Sequence, residues 1–588
     1  MPIKVQASRA SGANTTAGTY FSSTGTLTTA PINYFTYSEN LASGFNIPVS
    51  ISVTNNVVAA PSGSQTAASI IENTATTDHY AEATVTASPN QVMTASIYIK
   101  AAGRTSLLMR VFDGVNVVNA FGAAFNLATG TKSGLISGGT GVATDYTITS
   151  LPNSWYRITI TGTPAVGSVA TTVKYRVWFV NASTTYTGDG VSGFYVWGAQ
   201  LEAGTTATAP IYTNGAAAYG PRLDYDPGNC SAGTCAAKGL LIEQARTNLV
   251  TNSAIPLPTG TTAATLTASA VIRPDGGTAS KLVEDSSNTR HYASLIGTIT
   301  ASTANTYSIF AKAGERTSMY MYAGKWITPF TRGGMIVNLS NGTFSNSDFG
   351  TPLSVTNRMV TSVGNGWYRI SMTVVIDTTS TDGYIEVGPY NGALSYLGNG
   401  TSGLYFWGAQ IEQGSSVTSY IPTNGTAITR NADDVRVHDM SWYTANNGTF
   451  AGKAVVPYSS YINSYAWLFS LSNGVNSRYG IFLHSTNIAT NISSGGSTLL
   501  QFGNYSFALS SQTPFYFSST YINGDYSLGA ANTLVTDSSA VALPAINQLR
   551  LGTDSGTFML DGWLQTFQYY SQRLSNSQIQ DLSNSGQP

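Results

Sequence analysis

The chain has 588 residues, too many for one hydrophobic core, so its length alone predicts several domains. Only 9% of the residues are charged, 27 basic against 28 acidic, which argues against binding of nucleic-acid phosphates and against a polybasic membrane surface. Hydrophobic residues make up 42% and aromatic residues 11%, which excludes a disordered chain. The composition is typical of a polar, β-rich protein that faces the outside of a cell or particle.

Targeting and redox signals are few. Residues 1–18 lack the apolar segment of a secretory signal, and no apolar run is long enough to span a bilayer, so we expect folding in a reducing cytoplasm. Cys230 and Cys235, the only cysteines, bracket a four-residue loop. They are either an inert thiol pair or a disulfide that forms outside the cell, and a thiol titration separates the two. Zinc would need a second pair, and no metal or cofactor is predicted.

The sequence contains a long internal repeat. Seven blocks recur 210 or 212 residues later, among them His79-Tyr80 at 291–292, residues 155–158 at 367–370, and residues 197–200 at 407–410. Within each copy apolar and polar residues alternate, as in residues 94–100 and 174–180, and turn residues punctuate these runs. The predicted fold class is therefore all-β, with tandem β-sandwich (jelly-roll) domains in a modular, elongated chain.

Several blocks resemble modules of bacteriophage virion proteins. Residues 312–318, 364–370, 407–412 and 420–425 resemble a jelly-roll module that is similar to carbohydrate-binding modules of glycoside hydrolases. Residues 221–227 and 239–249 resemble the linker hairpin that often precedes this module, and the segment from 441 onward resembles a laminin-G/concanavalin-like jelly roll. Ser23-Thr24-Gly25, which the resemblance places next to the linker, is separated from it by the first copy. The first copy is thus predicted to be inserted into an amino-terminal collar.

The repeat and the resemblance predict five parts. They are a virion-anchoring segment (1–32), the first carbohydrate-binding-module-like sandwich (33–218), a collar or linker hairpin (219–245), the second sandwich (246–430) and the laminin-G-like jelly roll (431–588). In the last part, alternation through Leu564, Thr566 and Gln568 predicts a final strand. Ser575 and Gln578 then have the spacing of a helix cap.

Candidate catalytic residues are few. His79 and His291 are repeated in a duplicated domain and belong to no metal-binding motif, so they are interpreted as part of the fold. Glu202 and Glu412 supply one carboxylate per sandwich, whereas glycoside hydrolysis needs two that face each other. Pairing with an arginine of a neighbouring strand, Arg157 for Glu202, is the expected role. No nucleophile elbow or phosphate loop is present, and the chain is predicted not to be an enzyme.

Aromatic residues are the remaining ligand candidates, because sugars stack on exposed rings. Repeated tryptophans are predicted to lie in the core: Trp155, Trp197, Trp367 and Trp407. Non-repeated rings in polar surroundings are the predicted glycan-binding residues: Trp326, Tyr390, Tyr461, Tyr465 and Tyr479.

The resemblance implies a non-enzymatic virion structural protein, a tail fibre or spike that mediates adsorption to host surface glycans. Its expected partners are other virion proteins, bound through the N-terminal region, and host cell-surface polysaccharide, with neither nucleic acid nor membrane insertion. A homo-oligomer is expected, by resemblance a trimer, on the surface of a virion assembled in the host cytoplasm. The alternative is a capsid decoration protein, or head fibre, with a mainly architectural role.

Overall fold

The computed structural model describes residues 5–6, 8–9, 15–16, 18–253, 260–325, 331–376, 381–437, 440–457, 465–474, 477–484, 487–506, 509–554 and 558–587. Strands dominate this part of the chain, and the predicted all-β class is confirmed. In the described ranges the α-helices are Leu41–Gly44 and Asn576–Ser585, with a 3₁₀ turn at Pro152–Ser154. No helix in those ranges has the length and apolarity needed to cross a membrane.

The chain divides into two compact units, which we describe separately. Unit 1 comprises Met1–Ala10, Pro31–Pro221 and Val435–Tyr443. Unit 2 comprises Ser11–Ala30, Arg222–Asp434 and Thr444–Pro588. The main segment of unit 1 thus lies in the chain between two segments of unit 2. The insertion of the first copy and the five domain boundaries stay predictions.

Unit 1 is built on two facing antiparallel sheets. One sheet contains, in spatial order, Thr131–Gly138, Ala120–Asn126, Ser106–Asp113, Thr172–Val180, Tyr80–Thr86 and Ile47–Val49. The other contains Val142–Leu151, Trp155–Thr163, Met93–Ala102, Gly193–Ala203, Ile32–Asn33, Ala218–Tyr219 and Ser8–Arg9, with Ala67–Glu72 and Ile51–Val58 attached. Short pairs are Thr76–Asp78 with Thr185–Thr187 and Val5–Gln6 with Val435–Val437. Along Thr172–Val180, Val173, Tyr175 and Val177 are buried between the sheets while their neighbours face outward, as period two requires.

The first part of unit 2 repeats this arrangement. Its six-stranded sheet contains Gly260–Thr262, Tyr292–Thr298, Asp382–Pro389, Ser318–Lys325, Thr331–Asn338 and Phe344–Asn346. The facing sheet contains Ala264–Ile272, Thr278–Glu284, Gly403–Gln413, Ala304–Ala313, Trp367–Val375 and Ser354–Ser362. Short strands are Asn288–Arg290 with Ser395–Leu397, and Arg246–Asn248, Ile428–Arg430 and Thr15–Thr16. Strands that correspond in the two copies of the sequence repeat occupy the same positions in their sheets. The sequence repeat is therefore also a repeat of the fold.

The last part of unit 2 is a second kind of sandwich. One sheet includes Gln548–Leu551, Tyr465–Ser472, Arg478–His484, Asn487–Ser494 and Ser497–Ser506. The other contains Arg222–Ser231, Thr234–Ile242, Gly562–Tyr570, Asn447–Val455, Phe515–Ile522, Tyr526–Ala530 and Thr533–Asp537. The predicted final strand is confirmed in Gly562–Tyr570. Ser575 and Gln578 form the predicted capping box of the following helix.

The linker hairpin, Arg222–Ser231 with Thr234–Ile242, joins this last sandwich directly, because Leu240–Ile242 pair with the strand Gly562–Tyr570. A smaller hairpin, Thr19–Phe21 with Leu27–Thr29, also belongs to unit 2. Leu27 is buried in a cluster with Trp367, Trp407 and Tyr420 of the second copy. Residues 18–30 therefore serve the protein's own fold, and the anchoring role of 1–32 stays a prediction.

Four buried charges meet where these segments converge. Arg222 bonds Glu243 at 2.7 Å and also bonds Asp433, and its Nη1 donates to the Thr19 carbonyl at 3.1 Å. Arg430 lies 3.6 Å from Glu243. The arginine side chains are 1% exposed and the carboxylates 9%, so the cluster is neutral and almost dry. A Cβ at Gly18 would lie 2.4 Å from Arg222 Nη1, which explains a glycine there.

Burial alone would raise the pKa of Glu243, but the guanidinium groups of Arg430 and Arg222 outweigh it and lower that pKa to about 2. The folded pKa lies below the unfolded value. The stabilisation is therefore complete above the unfolded pKa and is lost as the pH falls towards about 2.

We predict that Arg222→Met destabilises unit 2 by about 3–5 kcal/mol, because it leaves two buried carboxylates with one guanidinium. Urea unfolding followed by tryptophan fluorescence measures the change. Lys281→Met is the matched control, because it breaks the exposed Lys281–Glu315 pair, and such pairs contribute about 0–1 kcal/mol. Equal midpoints for the two variants would contradict the prediction.

Candidate functional site

The structure separates the five predicted glycan-binding residues. Trp326 and Tyr461 lie outside the described residues. Tyr390 is half-buried, and its hydroxyl donates to the Gly392 carbonyl at 2.8 Å. Tyr465 is 43% exposed and stacks on His484, with ring centroids 4.9 Å apart. Tyr479 is fully buried and its hydroxyl lies 2.7 Å from Ser519 Oγ, so the expectation of a polar, loop-like setting for Tyr479 is wrong.

The repeated histidines are part of the fold. His79 and His291 are both fully buried. In His79, Nδ1 lies 2.9 Å from the Ser50 carbonyl oxygen and Nε2 lies 3.3 Å from that of Tyr186. His291 makes the equivalent contacts in the second copy. Each imidazole therefore ties two backbone segments together.

The repeated glutamates hold a loop. The Thr208 hydroxyl donates to Glu202 Oε1 at 2.6 Å, and the Thr208 N–H donates to Glu202 Oε2 at 3.1 Å. Glu412 holds Thr418 in the same way. Arg157, the expected partner of Glu202, donates instead to the Thr208 carbonyl oxygen. Arg157 and Glu202 therefore both bind Thr208, the arginine at the carbonyl and the carboxylate at the N–H and the hydroxyl.

Cys230 and Cys235 are joined by a disulfide at the tip of the linker hairpin. The Cys235 N–H donates to the Ser23 carbonyl at 2.8 Å, so this tip also holds the turn of the smaller hairpin. Among the described residues, no group of three or more His, Cys, Asp or Glu side chains is placed to hold a metal ion.

Aromatic rings also lie on the outer face of the six-stranded sheet of unit 1, and two of them, Trp178 and Phe112, have no aromatic counterpart in the second copy. The Arg176 guanidinium lies over Tyr80, Trp178 and Phe112, with its Cζ 4.1 Å, 4.4 Å and 5.0 Å from the three ring centroids. Arg176 is also paired with Glu82. The Arg176 side chain therefore packs against all three rings.

A cavity of about 370 Å³ lies in unit 2. It lies where the linker hairpin, the smaller hairpin, the second copy and the last sandwich meet. Its aromatic and apolar lining includes Tyr20, Phe21, Leu27, Phe310, Met359, Val363, Tyr420, Val455 and Trp563. Its polar lining includes Asp224, Asp226, Lys238, Thr361, Arg369, Ser416, Thr418, Ser419, Gln512, Asp561 and Gln565.

Asp224 organises one wall of this cavity. Its Oδ1 accepts the Phe21 N–H and its Oδ2 accepts the Trp563 indole N–H, each at 2.8 Å. Lys238 Nζ lies 3.6 Å from Asp224 Oδ2 and 3.7 Å from the centre of the Trp563 ring. The indole is therefore held by its edge and by an ammonium group over one face, and its orientation is set before any ligand arrives.

The remaining wall offers charged and uncharged hydrogen-bond partners, with Asp226 and Asp561 among the charged ones. Gln512 and Gln565 contribute amides, and Arg369 is already committed to the Thr418 carbonyl at 2.6 Å. Burial raises the pKa of Tyr20, and the neighbouring Tyr225 and Asp224 raise it further, so its phenol remains a donor at neutral pH. An oriented ring beside several donors and acceptors suits a small polyhydroxylated ligand.

Sequence reasoning missed this cavity. Asp224 and Trp563 are 339 residues apart, and neither repeats. The sequence did contain one signal: both residues lie in segments that carry the resemblance, 221–227 and the segment from 441 onward.

Comparisons with known proteins give only distant similarity. No family model and no curated protein matches the chain. Domains LG4-5 of the mouse laminin alpha1 chain align over 49% of this chain and 92% of theirs, at 8% identity and TM-score 0.19. The tandem CBM22-1–CBM22-2 domain of Paenibacillus barcinonensis Xyn10C aligns over 61% and 90%, at 10% identity and TM-score 0.21. The LG1-3 region of the laminin alpha2 chain aligns over 83% and 95%, at 10% identity and TM-score 0.18.

We predict a pH-dependent stability for unit 1 that originates in Glu202. Burial raises the pKa of Glu202 to about 7, against opposing hydrogen bonds from Thr208. Because the folded pKa lies above the unfolded value, stability is lost as the pH rises from about 4.5 to about 7. The loss between pH 5.5 and 8 should be on the order of 2 kcal/mol in urea unfolding. Glu202→Gln should remove most of it, and an unchanged pH dependence in that variant would rule out this origin.

Proposed function

We propose that this chain is a non-enzymatic glycan-binding protein and that the unit 2 cavity is its binding site. The observation that carries the proposal is the Trp563 indole, fixed by Asp224 and Lys238 in a cavity of about 370 Å³. A fixed ring offers a sugar an apolar platform, and the surrounding amides and hydroxyls offer partners to its oxygens. Holding the ring in advance lowers the entropic cost of binding.

The setting of Asp224 favours binding over catalysis. A general acid or base must be free to exchange a proton with the substrate. Both oxygens of Asp224 already accept hydrogen bonds, and Lys238 lies beside one of them. Its role is therefore to position the ring.

We further propose that the protein works on the surface of a bacteriophage virion, as a tail fibre or spike that adsorbs to host glycans. The resemblance of the repeated modules and of the linker hairpin supports this location. A single site of this size binds a glycan weakly, so adsorption would depend on several copies acting together. A capsid decoration protein is the second candidate, and it rests on the same resemblance.

We predict that removing the ring weakens glycan binding. A glycan array on the full chain selects a ligand, and calorimetry with that ligand then compares variants. Trp563→Leu should weaken binding at least about tenfold, which corresponds to about 1.4 kcal/mol. Gln512→Gly removes an amide at the rim and fits the backbone, because Gln512 has a φ of 59°. It should weaken binding with unfolding unchanged.

Tyr465→Ala and Tyr390→Ala are the matched controls, because both remove a partly exposed ring outside the cavity lining. Full binding by these two variants is expected. Loss of binding in Tyr465→Ala together with full binding in Trp563→Leu would move the site to the last sandwich. Intact binding in all four variants would reject both locations.

We predict that antibody raised against residues 431–588 labels intact phage particles in immunogold microscopy. Gold on the tail or its tip is the expected result for a fibre or spike. Gold scattered over the head would favour the decoration protein, and unlabelled particles from a lysate that contains the protein would reject the virion location.

A further inference from the structure

A disulfide lies where three segments of unit 2 meet. Cys230 and Cys235 are bonded across the tip of the linker hairpin. The turn of the smaller hairpin covers them, because the Cys235 N–H donates to the Ser23 carbonyl at 2.8 Å. A Cβ at Gly25 would lie 3.0 Å from Cys235 Sγ and 3.4 Å from Cys230 Sγ. This turn therefore packs directly on both sulfur atoms.

The loop at the tip of the linker hairpin also contacts the second copy. A Cβ at Gly364 would lie 2.6 Å from the Pro227 carbonyl oxygen, and a Cβ at Gly228 would lie 3.1 Å from the Ser362 carbonyl oxygen. Each of the three segments contributes to the cavity lining: Asp224 and Lys238 from the linker hairpin, Phe21 and Leu27 from the smaller hairpin, and Thr361 and Val363 from the second copy. The tip that carries the disulfide therefore connects three parts of the cavity wall.

The position and exposure of the disulfide indicate a local role. The two cysteines are five positions apart in the sequence, and a disulfide that closes a short loop restricts the unfolded chain less than one that closes a long loop. Cys235 is 4% exposed, whereas Cys230 is exposed, so a thiol in solution reaches the Cys230 sulfur. The bond is accessible to reduction, and its loss acts first on the turn that packs against it.

We propose that this disulfide is a redox-sensitive latch, which fixes the smaller hairpin when it is closed and releases it when it is reduced. Two separate thiols need more room than a bonded pair, and Gly25 packs against both sulfur atoms, so reduction displaces the turn. Phe21 ends the strand that enters this turn, and its N–H donates to Asp224 Oδ1 at 2.8 Å. The displacement therefore reaches the cavity wall.

Both redox steps are thiol–disulfide exchange. On reduction, a thiolate of a dithiol reagent attacks Cys230 Sγ, the S–S bond breaks and Cys235 leaves as a thiolate. The second thiol of the reagent then displaces Cys230, so the reagent becomes a cyclic disulfide and the cysteines gain two electrons and two protons. On closure, glutathione disulfide takes up these electrons and protons and leaves as two molecules of glutathione. The latch is thus open in a reducing cytoplasm and closes in oxidising surroundings.

Hydrogen exchange of the full chain, followed by mass spectrometry, tests the movement of the hairpin, which does not depend on any ligand. In the wild type, dithiothreitol should make the peptides that contain Phe21 and Cys235 exchange at least about tenfold faster, because their hydrogen bonds to Asp224 and Ser23 open. Phe515–Ile522, a strand of the same unit, should not change. Glutathione disulfide should restore the slow exchange.

Cys230→Ser/Cys235→Ser should exchange as fast as the reduced wild type, and dithiothreitol should have no effect on it. Ser231→Ala is the matched control, because it changes an exposed side chain at the same tip and retains the disulfide. This control should respond to dithiothreitol like the wild type. Unchanged exchange at Phe21 in a wild type whose two thiols are free by titration would overturn the latch, whether or not the double variant folds.

Calorimetry with the glycan selected on the array tests the effect on binding, which rests on the function proposed above. The reduced wild type should bind at least about tenfold more weakly than the oxidised wild type, and reoxidation should restore the affinity. Equal affinity in both states would overturn the latch as a control of the cavity and leave the glycan-binding proposal standing. Faster exchange on reduction, with no glycan bound in either state, would support the latch and reject the glycan site.

Discussion

Two arginines and two carboxylates, buried together, determine how the segments of unit 2 meet. The four residues of this cluster are Arg222, Arg430, Glu243 and Asp433. A single one of these charges would be costly to bury, because it would lose its hydration without gaining a partner. The four side chains must therefore be buried together. Arg222 begins the linker hairpin and Glu243 follows it, whereas Arg430 ends the last short strand of the second copy and Asp433 follows it. The geometry that pairs these charges therefore fixes the start of the linker hairpin, the end of that hairpin and the end of the second copy relative to one another.

The candidate binding site depends on the same geometry. Glu243 of the charge cluster lines the cavity, and so do Thr19 and Ser419, which hydrogen-bond to Arg222 and Glu243. Asp224 lies two residues beyond Arg222 on the same strand, so the cluster also sets where Asp224 meets Trp563. A cavity built between segments in this way can change its lining without a change in either sandwich core.

The fold was largely predictable because the chain repeats itself. Repeated residues proved to be those that hold strands and loops together, such as His79 and Glu202 with their equivalents in the second copy. The final strand and the capped helix were readable from alternation and from the spacing of Ser575 and Gln578, since both are local patterns. Tyr479 was misplaced because polar neighbours such as Arg478 suggest a surface, whereas the facing sheet decides which side of a strand is buried.

The cavity lay beyond sequence reasoning for a physical reason. Asp224, Lys238 and Trp563 come together only through pairing of the linker hairpin with a strand more than 300 residues away, and no local pattern encodes that register. The search for ligand residues was confined to non-repeated rings in polar surroundings. Asp224, Lys238 and Trp563, which line the cavity, lie instead in the linker hairpin and the final strand.

A crystal structure of the full chain with its best array glycan tests the central claim most directly. The account predicts sugar density in the unit 2 cavity, with a ring packed against Trp563 and hydroxyl contacts to Gln512 or Gln565. Sugar density beside Arg176 on the outer face of unit 1, or on Tyr465, with the cavity holding only water, would contradict it.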